Sequence, residues 1–258
     1  MKRWEMAALL CLTLLQAVPV QAELTGITVR VRSKDAKFVG SSMGGALVTI
    51  RNADTGELLT KGVTAGTTGD TERLMRKPLV RGALLSDEKS ARFTAELDLA
   101  EPTLLEIRAY GPLAQRQAAA SVAVTQWAVP GKHLTGGDGV LLELPGLAVA
   151  ILEPPAHTTL AADALPTQVE IRMNLVMMCG CPVTPGGVWD SGKFEVRALV
   201  KRNGKLFGEV PLVYSDEQSI FAGTLKLKDP GVYEITGYAY DPTNGNTGAD
   251  RTTVVVQP

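Results

Sequence analysis

The chain is poor in the residues that most often carry chemistry: its 258 residues include three cysteines and two histidines, and aromatic residues make up 5%. With His133 and His157 alone, the side chain that most often shuttles protons near neutral pH and commonly ligates zinc is nearly absent. Excess charge is lacking too. The formal net charge is −1 with no basic block, so there is no electrostatic footprint for nucleic acid, which needs clustered Lys and Arg to displace counterions. The same balance argues against attraction to an anionic membrane surface. The Gly- and Thr-rich stretch 62–71 has no Gly-Lys-Ser/Thr ending and reads as a solvated loop, and no Gly-x-Ser-x-Gly elbow occurs. The chain therefore reads as non-enzymatic.

One apolar run is present, from Met6 to Val18. It is shorter than the roughly twenty residues needed to span a bilayer, and no later segment approaches that length without charge. Lys2 and Arg3 precede it, and Pro19 and Val20-Gln21-Ala22 follow, which is the layout of a secretory signal. The expectation is a signal peptide over 1–22, a mature chain starting near Glu23, no membrane insertion after cleavage, and a periplasmic or secreted location. Cys11 sits inside the apolar run behind bulky Leu10, so it reads as discarded with the signal rather than as a lipid anchor. Cys179 and Cys181 are then the cysteines of the exported protein.

Beyond residue 22 the chain is a series of short alternating runs rich in Val, Ile, Thr and Leu, separated by Gly, Pro, Asn and Asp. The pattern predicts strands over Thr28–Arg32, Ala46–Asn52, Arg92–Leu97, Thr103–Tyr110, Ala118–Thr125 and Val140–Leu144. A second series covers Thr167–Met177, Lys193–Lys201, Lys205–Tyr214, Ser219–Leu227, Val232–Tyr240 and Thr252–Val256. Asp54-Thr55-Gly56 and Asn203-Gly204 are hairpin signals, because these residues tolerate the positive backbone angles of tight turns. Residues 64–89 are poorly periodic and read as a long loop with a short helix near Asp70–Arg76. Pro145-Gly146 and Pro154-Pro155 bracket Leu147–Leu152, which reads either as the last strand of one domain or the first of the next. The expected organisation is all-β: two β-sandwich domains in series, 23–146 and 147–258.

Asp229-Pro230-Gly231-Val232-Tyr233, followed by Ala239 and Asp241, resembles the tyrosine corner of immunoglobulin-like domains; the chain lacks their paired inter-sheet cysteines, as many bacterial members of that fold do. The first domain, through Val48-Thr49-Ile50-Arg51, Asp54-Thr55-Gly56 and Phe93-Thr94-Ala95-Glu96-Leu97, is similar to prealbumin-like, carboxypeptidase regulatory-like domains. These resemblances imply accessory, binding or spacer roles in exported proteins. A shared fold does not by itself assign a function.

The candidate site is Cys179-Gly180-Cys181, just after Met177-Met178. Val169, Ile171, Met173, Leu175 and Met177 alternate with polar residues, and extending that alternation puts both cysteines on the side of Met177, at the strand exit and within reach of an ion or partner. Thiolate and thioether sulfurs favour Cu(I), so Cys179 and Cys181 with Met177 or Met178 form a candidate soft-metal site; no other cofactor is expected. A small-ring Cys179–Cys181 disulfide and two inert buried thiols are the alternatives. Asp241, Asn244, Asn246 and Asp250 look oxygen-rich like a calcium loop but lack the EF-hand spacing, and a hairpin loop explains them. Trp189 reads as a core plug. Three functions compete: an accessory protein of the envelope with a Cu(I) site and an unidentified envelope or secreted partner, a purely structural interaction module, and a thiol-disulfide redox protein.

Overall fold

The computed structural model describes residues 22–258; residues 1–21, and with them Cys11 and the signal reading, lie outside the described residues. The first half contains β1 (Glu23–Ser33), β2 (Leu47–Asn52), β3 (Leu58–Val63), β4 (Phe93–Leu99), β5 (Thr103–Gly111), β6 (Ala120–Ala128) and β7 (Val140–Leu144). These form a three-stranded sheet, β4-β1-β7, and a four-stranded sheet, β3-β2-β5-β6. Period-two patterning builds the core between them: Ile27, Val29 and Val31 of β1 meet Val48 and Ile50 of β2 and Leu105, Ile107 and Ala109 of β5. The β2–β3 turn follows the Asp-Thr-Gly signal, with the Asn52 side chain accepting from the N–H groups of Asp54 and Thr55 and Gly56 at a φ of 75°.

The second half contains β8 (Leu147–Glu153), β9 (Thr158–Leu160), β10 (Thr167–Met177), β11 (Val183–Thr184), β12 (Trp189–Asp190), β13 (Glu195–Arg202), β14 (Lys205–Pro211), β15 (Val213–Tyr214), β16 (Ile220–Leu227), β17 (Gly231–Tyr240) and β18 (Thr247–Val256). One sheet runs β15-β16-β10-β8 and the other β14-β13-β17-β18-β9. This is the strand arrangement of an immunoglobulin-like sandwich. The corner tyrosine is formed: Tyr233 is fully buried and its hydroxyl donates to the Asp229 carbonyl at 2.7 Å. Leu147–Glu153 pairs with β10, so this piece belongs to the second sandwich.

The pattern read along the sequence is broken at one stretch and kept at another. The expected run Lys205–Tyr214 is split, because Pro211 removes a ladder donor and Leu212 turns into the core. β14 then pairs with β13 and β15 with β16 in the opposite sheet. Residues 64–89 are a loop with one helical turn, Glu72–Arg76, and they pack as a cap: Leu74 buries against Phe38 and Ala91, with Met75 touching both this cluster and the second sandwich's core. The Asp138 carboxylate pins the cap by accepting from the N–H groups of Leu85 and Ser86 at 3.0 and 2.8 Å. Burial pushes that carboxyl up, but the bonds from Ser86 and Leu85 and the nearby Arg30 outweigh it and hold Asp138 below the usual aspartate range. Arg30 itself is buried with Nε and Nη1 unpaired, and burial, then Arg92, lower its pKa.

Candidate site at the Cys-Gly-Cys turn

Ile171, Met173, Leu175 and Met177 of β10 all enter the second sandwich's core, as their spacing requires. The strand does not run on through the cysteines. The Gly180 N–H donates to the Met177 carbonyl at 2.7 Å and the Met177 N–H to the Cys181 carbonyl at 3.0 Å, so the chain reverses in a tight turn. Gly180 supplies the bend with a φ of 77°. Cys179 and Cys181 are thereby joined as a disulfide, with their Cα atoms 5.4 Å apart, inside the range a bridge requires.

The expectation that the pair lies within reach of an ion is corrected here. Cys179 is 1% exposed and Cys181 5%, and both belong to the core that holds Met177. The cause is the turn itself, which folds both side chains back into the second sandwich's core beside Ala36 of the first half. The tip of the turn also touches the first half: a Cβ on Gly180 would stand 2.8 Å from Cγ and Sδ of Met43. Met178 points away from the cysteines, as alternation demands, and joins Met43, Ala148 and Val176 in a separate buried cluster between the sandwiches. In the oxidised form neither sulfur is a thiolate, so the donor set does not fit Cu(I) without prior reduction. Among the described residues no group of three or more His, Cys, Asp or Glu side chains is placed to hold a metal ion.

The oxygen-rich loop has a different occupation from the one its composition suggests. Asn244 Nδ2 donates to carboxylate oxygens of Asp35 and Asp241, at 3.0 and 2.9 Å, and Lys34 Nζ donates to the Asn244 carbonyl at 2.7 Å. Asn246 is buried and bridges twice, accepting from the Gly146 N–H at 3.0 Å and donating to the Lys34 carbonyl at 3.1 Å. Asp250 lies in β18 and accepts from the Ile151 N–H at 2.8 Å. The hairpin reading of this loop is right, and its polar atoms are spent on the first sandwich and on the linker. Trp189 plugs the second core and also crosses over, its Nε1–H donating to the Asp35 carbonyl at 2.9 Å. Lys34, Asp35 and Met43 were invisible as site residues in the sequence, because each makes its contact across the domain boundary.

No protein-family model matches the chain. No curated protein matches it in sequence either. Among solved structures it resembles the fibronectin(III)-like modules of Clostridium thermocellum CbhA, at 12% identity over 90% of this chain and 86% of that one, with a TM-score of 0.27. It also resembles the titin Ig tandem domains A164-A165, at 10% identity over 92% and 97%, with a TM-score of 0.25. An engineered protein shares 15% identity over 51% of this chain and 24% of its own length, with a TM-score of 0.30, so the aligned region is about a quarter of that protein. Likenesses at this level carry no argument, and the fold assignment rests on the strand order and the tyrosine corner. No helix among the described residues is long and apolar enough to cross a membrane.

Proposed function

We propose that the chain is an exported, non-catalytic interaction module of the cell envelope, in which two β-sandwiches act as one stiff body. The observation that supports this reading is the continuous junction: an apolar cluster of Met43, Ala148, Val176 and Met178 beside the buried polar bridges of Asn246 and Lys34. Tandem modules usually move relative to one another unless their interface is large and apolar. Here the linker is short, since β7 ends at Leu144 and β8 starts at Leu147. The Cys179–Cys181 turn serves as a staple that shapes the docking surface for Met43.

The test is site-specific photo-crosslinking from exposed strand positions in the exporting cell. The expected outcome is a discrete adduct recovered from the periplasmic or secreted fraction on a chain beginning near Glu23. A chain retained in the cytoplasm with residues 1–22 attached, or one giving no adduct from any exposed strand, would overturn the proposal. The soft-metal reading survives as a narrower one, because Cys179, Cys181 and Met177 share one cluster. It requires that the chemically reduced protein bind Cu(I) against a competing chelator and that Cys179→Ser/Cys181→Ser abolish the binding. Equal, weak binding by both proteins sinks it.

A further inference from the structure

We infer that β6 is a self-association edge, by which two copies of this chain pair antiparallel about a two-fold axis at Val124 and join two four-stranded sheets into one continuous sheet. The inference rests on reading the chain as an interaction module and names the surface and the partner. Edge strands expose unpaired N–H and C=O groups, and proteins normally blunt them with charge, proline, bulges or short length. The other edges of this molecule follow that rule. β3 carries Lys61 and Gly62 and faces a register shift at Ile50/Arg51. β4 carries Glu96 and Asp98, and β7 carries Glu143. β14 carries Lys205, Glu209 and Pro211 opposite a shift at Val200/Lys201. β8 meets β10 with a shift at Arg172/Met173, and β9 and β15 are three and two residues long.

β6 has none of these devices. Its nine residues, Ala-Ser-Val-Ala-Val-Thr-Gln-Trp-Ala, contain no charge, proline or glycine. They pair with β5 in unbroken register from Ala120 to Ala128. On its other side, among the described residues, no backbone group from Ser121 to Trp127 has a hydrogen-bond partner. Ser121, Ala123, Thr125 and Trp127 all stand exposed on one face, and Trp127 is 58% exposed.

The strand's own sequence favours a second copy over other occupants. Self-pairing of β4 would bring Glu96 and Asp98 toward their like-charged equivalents, whereas β6 meets itself with no charge to oppose. With the axis at Val124, residues 121 and 127 lie directly opposite on the same face, so each Ser121 receives Trp127 of the second copy. Ser121 Oγ already accepts from Nε and Nη2 of Arg108, at 3.1 and 2.9 Å, which holds the guanidinium on that face. Each exposed indole thereby gains a cation to stack on, in two symmetric copies.

The test is sedimentation equilibrium of protein expressed from the full chain, compared with Val124→Lys and with Leu206→Lys on the protected edge β14. The expected result is a concentration-dependent dimer whose dissociation constant rises at least tenfold in Val124→Lys and is unchanged in Leu206→Lys, with both variants keeping the wild-type melting curve at concentrations where the wild type is monomeric. Val124→Cys should form a covalent dimer under mild oxidation, since residues paired across the axis lie within bridging distance. A wild-type monomer at every concentration, or a dimer indifferent to Val124→Lys, overturns the inference. A monomer that instead binds unrelated uncharged strand-forming peptides also overturns it and reassigns the edge to a foreign strand. In either case adducts from other exposed strands would leave the interaction-module reading intact, so the two failures are distinguishable.

Discussion

The two sandwiches are built by the same alternation of apolar and polar residues, yet they close themselves in different ways. The second is finished internally: a corner tyrosine holds β17, a disulfide turn ends β10, and its sheet edges carry charge, proline, a register shift or very short strands. The first is finished externally. Its three-stranded sheet is roofed by the 64–89 cap, pinned through Asp138, and its four-stranded sheet ends in the uncharged β6. Equivalent strand patterns therefore produce one half suited to rigidity and one that presents a free edge.

Four measurements test that contrast. The largest effect is expected from Met173→Ala in the second core and Ile107→Ala in the first, each fully buried. Either should cost about 2–5 kcal/mol and lower a single shared unfolding transition if the junction couples the halves. Two separated calorimetric transitions, with only the mutated half affected, would show the sandwiches to be independent. Asn246→Ala comes next, with a loss of about 1–3 kcal/mol in denaturant unfolding, because the Gly146 N–H and the Lys34 carbonyl lose a buried partner together.

Tyr233→Phe should cost roughly 1 kcal/mol, the net worth of the corner hydrogen bond, with the fold unchanged. A neutral result in urea titration would mean that the corner is not a stabilising device of the second sandwich. Asp138→Asn is expected to act least, and only through the cap. The folded carboxyl is held below its ordinary range, so its contribution is present above that range and is lost as pH falls through the lowered value. The gap in urea midpoint between wild type and Asp138→Asn should thus be open near pH 7 and close as the pH falls below the ordinary aspartate range. A gap that widens in acid would contradict this.

Much of the fold was legible from the chain alone. Asp229-Pro230-Gly231-Val232-Tyr233 identified the corner, Asp54-Thr55-Gly56 the hairpin, and the spacing of Ile171 through Met177 the inward face of β10. The break at Pro211 went unread, because the apolar run continues through it and Leu212's burial depends on the opposing sheet. At the site, alternation correctly parted Met177 from Met178 and put both cysteines with Met177. Exposure was misjudged, because the chain reverses at Gly180 instead of running out of the sandwich, and the core that receives the cysteines is assembled from strands distant in sequence and from Ala36. The same limit hid the task of Asn244 and Asn246, whose turn chemistry is local while their partners, Lys34 and Asp35, are not.

Local pattern, then, determined what each segment is: which residues are strands, which side of each strand is apolar, and where the chain can turn with positive φ. These follow from backbone sterics and side-chain period, which act over a few residues. Tertiary structure decided which surfaces meet. It buried the disulfide in the second sandwich's core, spent the oxygen-rich loop on the domain junction, and left β6 at the end of its sheet. Those outcomes depend on contacts between residues distant in the chain, and no short-range pattern encodes them.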